Sequence, residues 1–417
     1  MKLSLLIFFF FSLCSLKGLA QGNNSPYSIL GLGDLDDNFY NRTSGLANTG
    51  IAYRSNRFLI NNNPASFSAL DNQIFTAEVG VRGSFINYTG TPVDVSNNQS
   101  ADITFRRLVL GMKLSKHWGT SFGLTPFSTE NYEFSSPIIF QGTVSEIGNS
   151  YYQGYGSVNK IYWANSYEFF HHVSVGVDLS YLFGTISQKQ IIQSAGLATL
   201  VSTTNNMNLT NLYADYGIQG FGKFGRHWDY SLGATFANRS DLFARYTQTV
   251  LGPDSSTLYN KTLQESYFSL PTTYGFGLSL TKDKKYTFVA DYKYQGWSSL
   301  NYSGNNYQLE NSQKVSAGFE ISKSKTYYNT KIEKSYFQTG VYYGNSYLSV
   351  NGEKIKDMGL TVGFGINSLK SPLSYSIVLQ YGIKGTTSND LVEEKYVNLT
   401  FALSFREAWY TRGKKWD

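Results

Sequence analysis

From about Gln73 onward, apolar and polar residues alternate with period two in one segment after another. Alternation puts successive side chains on opposite faces of a strand, so such a chain must build sheet with one greasy face and one polar face. In Val173 to Phe183, one face carries Val173, Val175, Val177, Leu179, Tyr181 and Phe183, and the other carries Ser174, Gly176, Asp178 and Ser180. Leu373 to Ile383 repeats the design with Leu373, Tyr375, Ile377, Leu379, Tyr381 and Ile383. The last run sets Val397, Leu399, Phe401, Leu403 and Phe405 against Asn398, Thr400, Ala402, Ser404 and Arg406.

Strands of this kind serve a soluble sandwich or a membrane barrel, and alternation alone does not choose. Three features favour the membrane. The apolar faces end in Tyr, Phe or Trp, as the interfacial girdles of an outer-membrane barrel require. The runs are about 10 to 16 residues long, against about 5 to 6 for globular strands. Connections also alternate in length. Short ones fall at Ser115 to Gly119, Phe170 to Val173, Gly225 to Trp228, Thr281 to Tyr286, Ser322 to Asn329 and Asn367 to Pro372. Longer ones lie between them, at Gly90 to Asp102, Ser135 to Gly156, Lys189 to Met207, Leu251 to Gln264, Ser298 to Asn311, Ser349 to Asp357 and Gly385 to Lys395.

That parity predicts an all-β fold: a transmembrane antiparallel up-and-down barrel of about fourteen strands, with both ends of the barrel domain at the short-turn side. Composition agrees. The chain uses 33 Tyr, 29 Phe and 39 Gly, and charged residues make up 15%, a bias towards strands and turns. A helical membrane protein is excluded, because no run of about 18 apolar residues follows the N-terminus. The scattered Lys and Arg give a formal charge of +6 over 417 residues, with no basic cluster to argue for nucleic acid.

Residues 1–20 read as a signal peptide. Lys2 supplies the positive start, Leu3 to Leu13 the apolar run, and Gly18, Leu19 and Ala20 a small-residue cleavage site before Gln21. The one cysteine, Cys14, lies within it, so no disulfide or thiolate site is expected afterwards. Residues 21–72 do not alternate. Gly45, Gly50 and the run Asn61, Asn62, Asn63, Pro64, Ala65 are turn and kink residues. A barrel of about fourteen strands is too wide for its own side chains to fill. This polar, kinked segment is tolerable at membrane depth only when enclosed by protein. It is therefore expected to be a plug, or hatch, in the lumen of a barrel formed by residues 73–417.

The glycine-rich opening (Gly31, Gly33, Gly45, Gly50), the Asn63-Pro64-Ala65 signature and the strands that follow resemble the FadL-type outer-membrane transporters of hydrophobic compounds. SPYSILGLGDL near the start and LSFREAWYTRGKKWD at the end resemble a branch typical of Bacteroidetes. The resemblance implies a fourteen-stranded barrel in the outer membrane of a Gram-negative bacterium, a hatch holding the Asn-Pro-Ala turn, and a strand kink that opens a lateral gap. Pro126 and Pro271 stand in strand-like runs, where proline marks an edge or bulge. Either could mark such a gap, and a loop proline near a strand end is the other reading.

No catalytic site is expected. His117, His171, His172 and His227 all fall in short turns, away from any nucleophile, and the adjacent His171 and His172 would diverge in a strand. No metal or cofactor is expected, and Gly31-Leu32-Gly33 lacks the rest of a phosphate loop. Inward charges, namely Glu78, Arg82, Asp178, Asp291 and Lys293, are expected to line the lumen, with Glu78 and Arg82 the first guesses for anchoring the hatch. The expected function is passive, hatch-gated transport of hydrophobic small molecules, long-chain fatty-acid-like or aromatic. The expected surroundings are outer-membrane lipid and lipopolysaccharide. An outer-membrane scaffold, such as a partner of a protein-secretion system with protein partners at the outer loops, is the alternative.

Overall fold

The computed structural model describes residues 25–36, 38–91, 93, 98–140, 147–194, 199–300, 306–327, 330–368 and 371–408. Residues 1–20, expected to be a signal peptide, Gln21 to Asn24 and most of the C-terminal motif lie outside the described residues.

The described strands form one antiparallel sheet of eighteen segments. Asp34–Leu35 and Tyr307–Leu309 are short additions, and two spans are each broken once, which leaves fourteen strands closed into a barrel. They are β1 (Ile74–Gly90), β2 (Gln99–Lys113), β3 (Trp118–Ile139), β4 (Ile147–Phe169), β5 (Val173–Gln193), β6 (Thr199–Phe224), β7 (Trp228–Ala237 and Ser240–Leu251), β8 (Thr257–Leu270 and Thr273–Lys282), β9 (Tyr286–Gln295), β10 (Ser312–Tyr327), β11 (Thr330–Val350), β12 (Glu353–Asn367), β13 (Leu373–Gly385) and β14 (Val392–Ala408). The last strand closes on the first from Val392↔Gly90 to Ala408↔Ile74. Closure removes the unpaired edges that would otherwise have to be hidden.

The two faces sort as the alternation predicts. On β5, Val175, Leu179 and Tyr181 are exposed while Ser174, Asp178 and Ser180 are buried. Phe122, Trp163, Leu232, Phe276, Phe288, Leu360, Ile377, Leu399 and Phe401 continue the exposed apolar belt round the outside. A belt of this extent has no place in water, and matches the lipid-facing band of a membrane barrel. Among the described residues no helix is long and apolar enough to cross a membrane.

Several expected loops are strand instead. Ser135 pairs with Tyr151 and Lys189 with Thr204, and the ladders run on to Ile139↔Ile147 and Gln193↔Thr199. The connection expected at Ser349 to Asp357 is a tight turn on Asn351 and Gly352, whose φ values of 51° and 79° are those an Asn-Gly hairpin adopts. Polar sequence misled here for a simple reason: a ladder beyond the bilayer needs no greasy face. Strands accordingly reach 26 residues in β6.

The segment before the barrel packs against the inward face of the wall on all sides. It contains three short 3₁₀ turns, Pro26–Ile29, Arg42–Leu46 and Pro64–Ala69. Leu32, Leu46, Leu59, Ala65 and Phe67 in it are fully buried. Where it meets the wall, the wall often has glycine: Gly176 and Gly217 stand against Pro64 and Asn63, and Gly318 and Gly363 against Leu46 and Gly45. Gly176 and Gly217 are partners on the neighbouring strands β5 and β6, and Gly318 and Gly363 sit on β10 and β12.

Candidate functional site

Asn63 fixes the turn that the sequence singled out. Its Oδ1 accepts the Ala65 N–H at 3.0 Å, capping the Pro64–Ala69 turn, while Pro64 occupies the first position, where no N–H is needed. Its Nδ2 donates to the carbonyls of Ile51 at 2.9 Å, Ile218 at 3.1 Å and Ala234 at 3.3 Å. One amide thus ties the turn to a neighbouring loop and to β6 and β7. A side chain at Gly176 or Gly217 would collide with Pro64 or Asn63.

Each expected lumen charge has a defined place. Asp291 accepts the backbone N–H groups of Gly50 and Ile51 at 2.6 and 2.9 Å. Glu78 accepts the Leu59 N–H at 2.9 Å and pairs with Arg107 at 2.8 Å. Arg82 donates to the Tyr40 hydroxyl at 2.8 Å. Asp178 pairs with Lys160, which also reaches Asp215. Lys293 is half-buried on the same face of β9 as Asp291. Gly45 lies against Gln338 and Gly363.

The strongest anchor was not singled out in the sequence. Arg42 is 5% exposed, pairs with Glu320 at 2.7 Å and Glu333 at 2.8 Å, and stacks on the Tyr336 ring at 4.0 Å. Arg54 donates to Gln219 and pairs with Glu168 at 3.5 Å. Burial pushes the Arg54 guanidinium down to about 10, with Glu168 opposing the shift. Arg57 is also lowered to about 10, by burial and then by the like charge of Arg406. A non-alternating Arg gives no sequence signal of its partner.

The segment divides the lumen. A cavity of about 250 Å³ towards the long connections is lined by Asp34, Asp36, Arg82, Arg106, Asp357, Lys384, Glu394 and others. A larger one of about 1160 Å³ opens at the short-turn end, lined by Arg42, Arg54, Arg57, Arg406, Glu333 and His172 among others. The two share no lining residue. On β10, Lys314 faces the first and Glu320 the second, with Ser316 bonded to Thr49 and Gly318 against Leu46 between them. Beside the smaller cavity an apolar cluster joins Leu32 and Tyr27 to Leu182, Ile186, Leu209, Phe268, Leu270 and Trp297.

Among the described residues the wall is interrupted twice, near Pro126 and near Pro271. Strands β2 and β3 pair only from Leu108↔Leu124 to Lys113↔Gly119. Beyond that, Gln99 to Arg107 keep only β1, and Thr125 to Ile139 keep only β4. Pro126 stands just past the split, next to a bulge at Phe127. The freed edge of β3 is taken by the N-terminal segment: Asp34 and Leu35 pair with Thr129 and Ser128, and Asp36 bonds to Phe127 through its N–H at 2.9 Å. Asp36 also pairs with Arg106 of β2 at 3.3 Å, spanning the split. Asp102 and Arg106 on one side, and Thr129 and Asn131 on the other, line the smaller cavity. Pro271 lies in the second interruption, where β7 and β8 break at the same level and resume with Ala237↔Thr273 and Ser240↔Leu270.

Solved structures share this architecture. The toluene transporter TodX of Pseudomonas putida aligns with a TM-score of 0.59 and 13% identity over 91% of this chain and 100% of its own. A FadL homologue of Pseudomonas aeruginosa gives 0.57 and 12% over 88% and 98%, and the monoaromatic hydrocarbon channel CymD gives 0.54 and 13% over 87% and 96%. At such identities the likeness establishes the FadL-type fold and no more. No curated protein matches the sequence. The family model that does match is BamG, over residues 1–416; the chain belongs to the BamG family.

Proposed function

We propose that the protein is a passive channel for hydrophobic small molecules in the outer membrane of a Gram-negative bacterium of the Bacteroidetes branch, with the segment from Gln21 to Asn72 as its hatch. The β2–β3 split, filled by that segment, carries this reading: the wall stops pairing where a cavity meets it, and what fills the space is hatch. The neighbours TodX and CymD are a toluene transporter and a monoaromatic hydrocarbon channel, which supports aromatic or fatty-acid-like solutes here. Such a solute would compete with Tyr27 and Leu32 for the apolar cluster beside the cavity and leave through the split. Transport runs down a gradient, since the chain carries no nucleotide motif. Asn63, Pro64 and Ala65, with Gly45 and Gly50, form the joint of the hatch, and Glu78, Arg82 and Asp291 hold it to the wall. Deleting Asn61 to Ala65, or replacing Pro64, is expected to change toluene uptake by vesicles carrying the folded barrel. Unchanged uptake of every hydrophobic solute tried overturns the hatch.

The charged lining of the smaller cavity favours a second reading. Asp34, Arg106, Lys384 and Glu394 are poor company for a hydrocarbon, and suit a scaffold whose lumen is closed for good. Stoichiometric protein partners in a pull-down from membranes, with no lipid-like molecule in the lumen, would select the scaffold.

A further inference from the structure

Two neighbouring side chains and one from a separate turn, all able to ligate a metal, converge at the short-turn end of the barrel. His117 lies in the turn between β2 and β3, Glu168 near the end of β4, and His171 in the turn that follows. One nitrogen of each imidazole and one carboxylate oxygen lie within 4.8 Å of one another. We propose that His117, Glu168 and His171 form a site for a divalent transition metal of the Zn²⁺ type.

The wall fixes two of the ligands. Trp118 pairs with Tyr167, and the Glu168 N–H donates to the His117 carbonyl at 2.9 Å, so these two side chains leave adjacent backbone positions. The third arrives through a hairpin turn with positive φ at both Phe170 (50°) and His171 (58°), a conformation usually given to Asn and Gly. It sets the His171 ring 5.2 Å from the His117 ring, centroid to centroid. In a regular strand the neighbours His171 and His172 would diverge, which is why their spacing gives no sign of a site. The His117 Nδ1 is buried without a hydrogen-bond partner, a nitrogen that a metal ion would satisfy.

The carboxylate is already divided between two tasks. Its Oε1 faces His171 Nδ1 at 3.5 Å, and its Oε2 faces Arg54 of the N-terminal segment at 3.5 Å. A metal on Oε1 leaves Arg54 on Oε2, the outer-shell partner that orients a ligating carboxylate. Bonds of about 2.0 to 2.2 Å require the three ligand atoms to draw closer than they now stand. His171, whose side chain is 77% exposed, is free to swing in. Arg54 and Lys113 are the cations acting on Glu168, and they oppose a dication. The two imidazoles and an open fourth position for water have to outweigh that repulsion.

The test uses the full mature chain in detergent, purified on a tag without histidine, freed of metal with a chelator and titrated with Co²⁺ near neutral pH. One Co²⁺ per chain is expected, with a visible ligand-field band that Zn²⁺ abolishes. His117→Ala and His171→Ala should each weaken binding at least about tenfold, with Glu168→Gln between them and wild type. All variants should keep the gel shift on heating of a folded barrel. His227→Ala serves as control, since His227 sits in another turn bonded to Asp283 at 2.6 Å. Equal Co²⁺ uptake by wild type and the His117→Ala/His171→Ala double variant, or binding lost with His227, overturns the site.

Discussion

Among the described residues the wall is interrupted in two places, and the two are closed in different ways. Near Pro271, β7 and β8 both break, yet the ladder resumes beyond the gap. Asn211 donates to Ser240 at 2.7 Å across it, and Leu209, Leu242 and Leu270 stay buried beneath. Near Pro126, β2 and β3 part and do not meet again, and Phe127, Ser128 and Thr129 on the freed β3 edge bond or pair with Asp36, Leu35 and Asp34 instead. One break is mended by the wall itself, the other by a segment the wall does not own. A proline in a strand run therefore says where pairing is lost, while what replaces the lost pairing decides whether a gap can open.

If the β2–β3 split depends on the segment, loosening the segment should affect that break and spare the other. The largest effect is expected from Arg42→Ala, which leaves the buried Glu320 and the part-buried Glu333 without their cation. Removing one partner of such a pair costs about 3 to 5 kcal/mol. That loss should appear as protease cleavage within 38–71 in a barrel that still shifts on heating. An uncut Arg42→Ala segment would mean that the docking rests on the apolar contacts alone.

A smaller effect is expected from locking the split. Leu35 and Ser128 are direct partners on antiparallel strands, within the reach of a disulfide, and the one native cysteine is Cys14. Oxidising Leu35→Cys/Ser128→Cys should lower toluene uptake about tenfold, equivalent to about 1.4 kcal/mol against the open state, and reductant should restore it. The matching pair Ser240→Cys/Leu270→Cys across the mended break should leave uptake as it was. Equal inhibition by both locks would erase the difference between the breaks.

How far the sequence reached follows the same division. The wall was legible because lipid outside and a polar lumen inside impose a strict period of two, and even the parity of the connections survives in the turns at Ser115, Phe170 and Gly225. Strand ends were not, because beyond the bilayer Tyr, Gln, Ser and Thr can pair without any apolar face. Within the segment, Asn63 and Pro64 declared a capped turn through residue type alone. Arg42 did not, since its partners lie 278 and 291 residues away. The convergence of His117 with His171 escaped for a related cause: spacing along the chain does not record which turns stand side by side.

The prolines themselves give the finest comparison. Pro126 withholds an N–H just beyond Leu124, the last residue of β3 paired to β2, and the adjoining bulge sets Phe127 against the apolar cluster of the lumen. Alanine there supplies the missing donor and relaxes the fixed φ, so β2 and β3 can pair a step further and narrow the split. Pro271 fills a gap whose flanking residues are already partnered, and an N–H added there has no parted neighbour to recapture. Pro126→Ala is therefore expected to reduce uptake about two- to threefold, and Pro271→Ala to change it by less than that. The reverse order of effects would place the opening at β7–β8 and make the Asp34–Leu35 pairing a simple cover for the β3 edge.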